Sequence, residues 1–442
     1  MAEGRISVEP SDIARPTSPI RQLPSTIPAR PYICLVPREK SPAASMRLVH
    51  LSDLHLGYRQ FQRQTAAGIN QRESDVASVF RAAIDRIIDI RPDLVLIAGD
   101  VFHHVRPPNQ AILHAHKQFS RLVQALPDAL VIMVAGNHDA PRSAETVCIL
   151  RLFSPLGIHV VDAEPRRLTF PEHDLSVLAV PYSLAPRPSL NPDPAFGRNI
   201  LVMHSELRGI IPLSSADVER VALQVDPSEI GYDRWAYVAM GEYHIHRKLH
   251  QNAYYSGAIE YTSFNIWGEV QEEKEARLKG KGLVEYDLES RKKTFHALAP
   301  ARQLVDLPLV SGRGLNALEI DNAIRNNVES WPGGIDDRIV RQVVIDIPRH
   351  VSRELDQRAL REYKRRALSF QLDARRPEVL RQTGSGAAGR RASLTDTVRE
   401  WLWARTLPPD VAREQLVELG LRYLQHAESA EQETLTSTAE HP

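Results

Sequence analysis

The stretch LVHLSDLHLGYRQF, residues 48–61, decides how the rest of the chain is interpreted. It begins with an almost unbroken apolar run, which is typical of a strand buried on both faces of a parallel sheet. The run then stops at Asp53 and His55, two residue types that bind metal ions. Because ligands bind at the carboxyl ends of strands in open α/β sheets, the stretch predicts a strand that leads directly into a functional site.

Four later apolar runs end in the same way. Their metal-competent residues are Asp100 in DLVLIAGD, Asn137 in LVIMVAGNHD, His204 in NILVMHS, and His244 with His246 in WAYVAMGEYHIH. Each run alone has an ordinary explanation, since Gly-Asp suits a tight turn and a single histidine is often a core residue. The joint order D-x-H, G-D, G-N-H-D, H and H-x-H is much harder to explain by turns. It predicts that the strand ends converge on a metal site.

The spacing of apolar residues between these runs predicts helices. Apolar residues recur at helical spacing from Val76 to Ile88, and a second helical stretch covers about Gln110 to Leu126. Strands that alternate with helices predict parallel pairing, whereas the strands after residue 157 follow one another more closely. We therefore predict an α/β fold with two packed sheets, parallel early and more antiparallel later, that runs to about residue 300.

The composition excludes several classes of protein. The 442 residues are 43% hydrophobic and 25% charged, which indicates a soluble globular protein with two or three domains. The two cysteines, Cys34 and Cys148, exclude a disulfide framework and a thiolate zinc cluster, so a reducing, cytoplasmic location is expected. No apolar run is long enough to span a membrane, and no secretory pattern opens the chain. Because the net charge is zero, any nucleic-acid binding must rely on local patches.

The motifs, taken in order, resemble a known family. Their order is similar to that of the calcineurin-like metallophosphoesterases. More narrowly, HLSDLHLGYRQF, LIAGDVFHHVRPP and VAGNHD resemble the nuclease subunit of the bacterial SbcCD complex and its archaeal and eukaryotic double-strand-break repair counterparts. The resemblance is good over residues 46–300. It implies a two-sheet metallophosphoesterase sandwich with a binuclear metal centre, followed by a smaller α+β capping domain.

The resemblance also implies which residues bind the two divalent metal ions. It assigns one ion to Asp53, His55 and His246. It assigns the other ion to Asn137, His204 and His244, with Asp100 bridging the two ions. Carboxylate, amide and imidazole donors without a thiolate independently suit manganese, iron or zinc, and we expect Mn²⁺. Two such ions can clamp a phosphate and activate a water molecule for attack on phosphorus.

Three further residues are candidates for catalysis. His138 follows a predicted ligand and is expected to donate a proton to the leaving oxygen; alternatively, it only supports that ligand through a hydrogen bond. His103 matches a family histidine near the DNA end, so we expect a role on the substrate side, with an exposed loop histidine as the alternative. Asp139 either orients His138 or caps the following helix.

The last motif departs from the family pattern. The usual form is G-H-x-H, whereas here Glu242 and Tyr243 separate Gly241 from the pair His244 and His246. The spacing between the two histidines survives. The departure puts in doubt the loop geometry near the second metal ion, and hence the affinity or preference of that site.

DNA contacts must come from outside the metal ligands. Four arginines flank the motif loops and are expected to contact a phosphate backbone without base specificity: Arg59, Arg106, Arg142 and Arg208. The alternative is that these arginines are simply solvated, as most surface arginines are.

The remaining segments are interpreted from composition and from the resemblance. We predict, in order, a disordered Pro-rich extension over 1–45, the nuclease domain over 46–300, a capping domain over 301–382, a flexible linker over 383–393, a helical partner-binding segment over 394–428 and a disordered tail over 429–442. The family pairs its nuclease with an SbcC-like coiled-coil ATPase, and the C-terminal helices are the expected docking site. Packing of these helices on the chain's own core is the alternative. The family also implies a homodimer.

Three functions are compatible with these motifs. The first is a metal-dependent DNA nuclease, exonuclease or endonuclease, that acts on ends or hairpins in double-strand-break repair. The second is a phosphodiesterase for a small molecule such as a cyclic nucleotide, and the third is an inactive scaffold. The complete ligand set disfavours the scaffold, and the residues after position 300 favour the nuclease over the small-molecule enzyme.

Overall fold

The computed structural model describes residues 45–141, 147–182, 189–210, 224–377, 394–404, 407 and 412–424. The predicted linker, the predicted tail and all but the last residue of the predicted N-terminal extension lie outside these residues.

The chain forms two compact units. One contains the described residues up to Val310 together with Leu318–Val343 and Leu355–Asp373. The other contains Ser311–Ala317, Val344–Glu354 and the described residues from Ala374 onward. The predicted capping domain over 301–382 contributes to both units, so its existence as a separate domain stays a prediction.

The regular elements of the described residues are numbered in chain order. The strands are β1 Arg47–Leu51, β2 Leu94–Ala98, β3 Leu130–Val134, β4 His159–Val161, β5 Arg166–Phe170, β6 Leu175–Val180, β7 Arg198–His204, β8 Glu206–Leu207, β9 Gln224–Val225, β10 Tyr237–Gly241, β11 Arg247–His250, β12 Ala253–Tyr255, β13 Gly282–Asp287, β14 Lys293–Ala297, β15 Leu304–Asp306, β16 Val310–Ser311, β17 Ile339–Ile345 and β18 Ser369–Ala374. The helices are α1 Gln71–Ile90, α2 Asn109–Ala125, α3 Pro227–Ile230, α4 Ile266–Glu275, α5 Ala317–Ser330, α6 Arg349–Glu354, α7 Gln357–Arg366, α8 Leu394–Trp403 and α9 413–424.

The first sheet has the strand order β14-β13-β1-β2-β3-β4. Strands β1 to β4 run parallel, with Leu48 beside Leu94 and Leu94 beside Leu130. Strands β13 and β14 extend the sheet at one edge in antiparallel pairing. Every residue of β2 is buried, as expected for a strand covered on both faces. Helices α1 and α2 join β1 to β2 and β2 to β3, so the predicted early alternation is confirmed.

The second sheet has the strand order β11-β12-β10-β7-β6-β5. Its four inner strands, β12, β10, β7 and β6, are parallel, and only the edge strands β11 and β5 pair antiparallel. The predicted two-sheet α/β sandwich is therefore confirmed. The expected antiparallel character is limited to the edges of this sheet. The apolar run WAYVAMGEYHIH is also not one strand, because β10 ends at Gly241 and β11 begins at Arg247.

The two sheets pack face to face through an apolar layer. Leu96 and Val134 from the first sheet belong to the same buried cluster as Val202 and Ala239 from the second. The other face of the first sheet is covered by α1 and α2, whose buried stripes include Phe80 and Phe119. Burying a phenylalanine side chain of this kind is worth about 1.5–3 kcal/mol relative to exposure, so these stripes hold both helices on the sheet.

Helix α1 has clear signals at both ends. Its N-cap is Asn70, whose side chain accepts hydrogen bonds from the backbone N–H groups of Arg72 and Glu73. It ends at Ile90, and the C-cap Arg91 adopts the left-handed conformation before Pro92. These signals set where the chain returns to the sheet, so that β2 starts in register with β1.

The packing brings the carboxyl ends of five parallel strands to one place. In the second sheet, His204 at the end of β7 lies beside Gly241 at the end of β10. Across the sandwich, the His204 Nδ1 lies 2.8 Å from the carbonyl oxygen of Ala98, the last residue of β2. The loops that follow β1, β2 and β3 therefore face the ends of β7 and β10.

Among the described residues, no helix combines the length and the apolar character that crossing a bilayer requires. The expected cytoplasmic location stays a prediction.

Candidate metal centre

The loops after β1 and β2 are tied together by their backbones. The N–H of Asp53 donates to the Gly99 carbonyl at 3.0 Å, and the N–H of His55 donates to the Asp100 carbonyl at 3.0 Å. Asp53, His55 and Asp100 all have positive φ, at 53°, 45° and 53°. Residues other than glycine rarely adopt this left-handed backbone conformation. Those that do concentrate at functional sites, where the surrounding structure holds them in place.

Two glycines allow the loops to approach this closely. A Cβ added to Gly99, whose φ is +90°, would lie 2.2 Å from His204 Nδ1. A Cβ added to Gly136 would lie 2.0 Å from Asp100 Oδ1. The glycines of the G-D and G-N-H-D motifs are therefore both required by close contact, and Gly99 is also required by its positive φ.

One buried group consists of Asp53, His55 and His244, whose candidate ligand atoms all lie within 4.8 Å of one another. The Nε2 atoms of His55 and His244 are 3.0 Å apart, so both rings point at the same small volume. His244 Nδ1, the other ring nitrogen, lies 3.3 Å from Glu269 Oε1. A carboxylate behind the second ring nitrogen is the usual support of a metal-bound histidine.

A second buried group consists of Asp53, Asp100 and His204. The Nδ1 of His204 faces the Ala98 carbonyl, which leaves Nε2 turned inward. This Nε2 lies 3.5 Å from Asp100 Oδ1 and 3.2 Å from Asn137 Oδ1. The other oxygen of Asp100, Oδ2, lies 3.7 Å from His55 Nε2. Asp100 therefore presents one oxygen to each group.

Glu242 also lies at this centre, and the sequence analysis did not predict it as a ligand. Its Oε2 is 3.0 Å from His204 Nε2, and its backbone N–H donates to Asp53 Oδ1 at 3.2 Å. The signal was present, since Gly241-Glu242-Tyr243-His244 has the spacing of G-H-x-H with glutamate at the first histidine position. The structure thus places Glu242 and His244 beside the other predicted ligands, with the spacing of the two histidines in G-H-x-H.

His246 is placed differently from the other predicted ligands. Its Nδ1 lies 2.9 Å from the Tyr255 carbonyl, its Nε2 lies 3.2 Å from Lys293 Nζ, and its ring stacks on Phe295. Burial and the Lys293 charge lower the pKa of His246 to about 4. Within the part of the chain that the structure describes, His246 joins none of the ligand groups. The structure brings the other six predicted ligands together and does not bring His246, which lies directly before β11 and beside Tyr255 of β12.

His138 and His103 form a third group with His55 at the rim of the centre. The N–H of His138 donates to Asp100 Oδ1 at 3.0 Å, and its ring Nδ1 lies 2.7 Å from the His103 carbonyl. His103 Nδ1 lies 3.2 Å from His55 Nδ1, and the rings of His103 and His138 stack at 5.3 Å. Burial lowers the pKa of His138, and it lowers the pKa of His103 to about 3.

The Asp139 side chain makes backbone contacts that the sequence analysis did not consider. Its carboxylate accepts hydrogen bonds from the backbone N–H groups of Gly136, Val101 and Phe102 at 3.0, 3.1 and 2.9 Å. The side chain is fully buried and joins the loop after β3 to the loop after β2. The partner of the His138 ring is the His103 carbonyl instead, and the next described helical segment, Ile149–Leu156, has Cys148 at its N-cap.

The electrostatics of the centre fit divalent cations. Burial, together with the neighbouring carboxylates of Asp53 and Glu242, raises the pKa of Asp100 to about 7. Burial alone would lower the pKa of His204, but Asp100 and Glu242 raise it well above its ordinary value. Buried carboxylates this close together are costly unless positive charge is shared among them. The oxygen and imidazole donors are those that manganese, iron or zinc accept.

The four arginines expected to contact DNA lie in different surroundings. Arg59 pairs with Glu73 at 2.7 Å, and Arg106 and Arg208 are exposed. Arg142 lies outside the described residues. Their contact with a phosphate backbone stays a prediction.

The fold and the centre agree with the comparison with known families. The family model described as Calcineurin-like phosphoesterase matches residues 46–274, just over half of the chain. The chain belongs to the calcineurin-like phosphoesterase family. The match includes every strand end that contributes to the centre, from the loop after β1 to the loop after β10.

Similar proteins carry the name DNA double-strand break repair protein Mre11. The one from Methanopyrus kandleri is 29% identical over 267 residues, which are 55% of this chain and 54% of that protein. The one from Methanocaldococcus jannaschii is 40% identical over 97 residues, 22% of this chain and 24% of that protein. The chain thus spans about half the length of these relatives or less. A solved structure, that of Pseudomonas putida nuclease MPE, is 17% identical to this chain. The match covers 40% of this chain and 66% of that chain, with a TM-score of only 0.19.

Proposed function

We propose that the protein is a metal-dependent DNA nuclease that hydrolyses phosphodiester bonds at DNA ends or hairpins during double-strand-break repair. The observation that carries the proposal is the convergence of buried Asp53, His55, Asp100, His204 and His244 from four strand ends. Family membership and the similarity to proteins named for double-strand-break repair support it.

The ligand assignment follows from which atoms face each other. We assign Asp53, His55 and His244 to one cation, Asn137 and His204 to the other, and Asp100 to both, because its two oxygens face His55 and His204 separately. Two divalent cations bound there would polarise a phosphodiester and lower the pKa of a bound water molecule. We propose Mn²⁺, since carboxylate and amide oxygens mixed with imidazoles suit it.

His138 is the proposed proton donor. Its backbone bond to Asp100 fixes it beside a shared ligand, and its Nδ1 bond to the His103 carbonyl directs Nε2 away from that carbonyl. In the protonated ring, Nε2–H would reach the departing sugar oxygen. Burial lowers the pKa of His138, which makes the imidazolium a stronger acid toward that oxygen. His103, which packs edge-on against Tyr58 at 4.9 Å, is the proposed neighbour of the DNA end.

Asp139 acts indirectly in this scheme. By accepting three backbone N–H groups it holds the loop that carries His138 against the loop that carries Asp100. We therefore propose a positioning role for Asp139 and not a contact with substrate.

The proposed macromolecular partners are DNA and a coiled-coil ATPase of the SbcC type. The arginines Arg59, Arg106, Arg142 and Arg208 are proposed to contact the phosphate backbone.

Helix α8 exposes Trp401 and Trp403, and α9 exposes Leu419 and Tyr423, with exposed fractions between 46% and 70%. Large exposed side chains on short helices suit docking onto a partner, and the family supplies the ATPase as the expected one. The homodimer stays a prediction.

One experiment separates the proposed function from its alternatives. Purified protein with Mn²⁺ is incubated with labelled linear duplex DNA, with hairpin DNA and with a chromogenic phosphodiester, each with and without a chelator. We expect chelator-sensitive cleavage of DNA. Turnover of the chromogenic ester alone would indicate a small-molecule phosphodiesterase, and no turnover by protein that retains its metal would indicate an inactive scaffold.

A further inference from the structure

Glu242 is the one residue at the centre that departs from the family's last motif, and its surroundings are well defined. Its side chain is only 3% exposed, and Oε2 lies 3.0 Å from His204 Nε2. Its N–H donates to Asp53, and its φ of 112° is unusual for a residue with a side chain. The loop therefore holds this carboxylate inside the centre and not on the surface.

Three oxygen atoms surround a single nitrogen at this point. His204 Nε2 lies 3.0 Å from Glu242 Oε2, 3.2 Å from Asn137 Oδ1 and 3.5 Å from Asp100 Oδ1. One N–H can donate well to only one of these oxygens, so a proton on this nitrogen does not account for the approach of all three. A cation among the four atoms would satisfy all of them at once, as in a coordination shell.

We propose that Glu242 is a carboxylate ligand of the cation on the His204 side, where the family pattern has a histidine. The inference rests on the proposed function, because it requires that divalent cations bind at this centre. The protein ligands of this cation are then Asp100, Asn137, His204 and Glu242, which are three oxygen donors and one nitrogen.

The substitution has a consequence for metal preference. Oxygen donors suit magnesium and manganese, whereas imidazoles suit zinc, copper and iron. Replacing an imidazole by a carboxylate adds a negative charge and a harder donor. At the cation site beside His204, the ratio of bound Mn²⁺ to bound Zn²⁺ is therefore expected to be higher with glutamate at position 242 than with histidine.

The test measures bound metal and does not depend on activity. Wild-type protein, Glu242→Gln and Glu242→His are stripped of metal, dialysed against equal concentrations of Mn²⁺ and Zn²⁺, and analysed for the amount of each element. Titration with Mn²⁺ alone gives the affinity of each site. Glu206→Gln is the matched control, because Glu206 lies two residues after His204 yet joins none of the ligand groups found among the described residues.

We expect two cations in wild-type protein and in Glu206→Gln. In Glu242→Gln, the second Mn²⁺ should bind at least about tenfold more weakly, because a neutral amide oxygen is a weaker donor than a carboxylate and even loss of a supporting group costs that much. Glu242→His should keep two cations with a higher ratio of zinc to manganese.

The outcomes separate this inference from the proposed function. Wild-type protein that binds no divalent cation would overturn both. Two cations of unchanged affinity in Glu242→Gln would overturn only the role of Glu242. If Glu242→Gln fails to fold by circular dichroism, Glu242→His decides: an unchanged ratio of zinc to manganese would refute the inference.

Discussion

The ring of His138 is held by the backbone of His103: its Nδ1 lies 2.7 Å from the carbonyl oxygen of that residue. The contact fixes the ring orientation and the tautomer, because a carbonyl only accepts and Nδ1 must carry the hydrogen. Nε2 is thereby left for the reaction. The loop after β2 therefore contributes both Asp100, the proposed shared metal ligand, and the group that orients the proposed proton donor.

His138→Ala is expected to slow DNA cleavage by about 100- to 10,000-fold while two cations remain bound, because a general acid contributes that much and is not itself a ligand. The measurements are single-turnover cleavage rates and elemental analysis of the same preparations. His104→Ala is the matched control, since His104 is exposed and follows His103 in the sequence. The cleavage rate of this variant should stay close to that of wild type. Loss of the metals in His138→Ala would refute the assigned role.

His244→Ala and His246→Ala are expected to differ sharply in metal content. His244 points at the Nε2 of His55, whereas His246 is engaged by Tyr255 and Lys293. We expect one tightly bound cation in His244→Ala and two in His246→Ala, measured by elemental analysis after dialysis. The reverse result would restore His246 as a ligand and remove His244.

Asp139→Asn is expected to lower the free energy of unfolding by about 1–3 kcal/mol, because an amide NH₂ cannot accept hydrogen bonds and would leave a buried backbone donor unpaired. Urea denaturation measures this change. Asp128→Asn, a substitution of the same type at an exposed loop position, should change stability by less than about 0.5 kcal/mol. Equal stabilities of the two variants would contradict the arrangement around Asp139.

Gly136→Ala is expected to weaken metal binding, because its methyl group would overlap Asp100 Oδ1 and force the shared ligand to move. Gly68→Ala provides the comparison. Its φ of +75° makes the substitution strained, but no atom lies within 4 Å of the added Cβ. Gly68→Ala should therefore lose stability without loss of metal. Normal cation stoichiometry and affinity in Gly136→Ala would show that the loop tolerates the displacement.

The sequence was sufficient to predict most of the sandwich and most of the centre. The strands β1, β2 and β3 are buried on both faces, and this burial is what a continuous apolar run indicates. Since parallel strands of one sheet end at the same edge, residues that follow them, such as Asp53 and Asp100, are expected to meet.

Tertiary contacts decide the features of the centre that the sequence did not indicate. Whether β10 continues past Gly241 depends on its pairing with β7, and the positive φ of Glu242 changes which later side chains turn inward. The sequence therefore could not show that Glu242 and His244 face the centre while His246 does not. The contacts of Asp139 were hidden for a related reason: two of the N–H groups it accepts belong to Val101 and Phe102, which are distant in sequence.

The buried centre draws on residues from Asp53 to His244, and these residues belong to both sheets. During synthesis, an early segment with only the first sheet would lack His204 and His244, so the proposed centre is incomplete until the second sheet has formed. If cations bind there as proposed, they would link the two sheets across their apolar layer and stabilise the native state by mass action. Metal starvation would then shorten the lifetime of the whole fold as well as lower its activity.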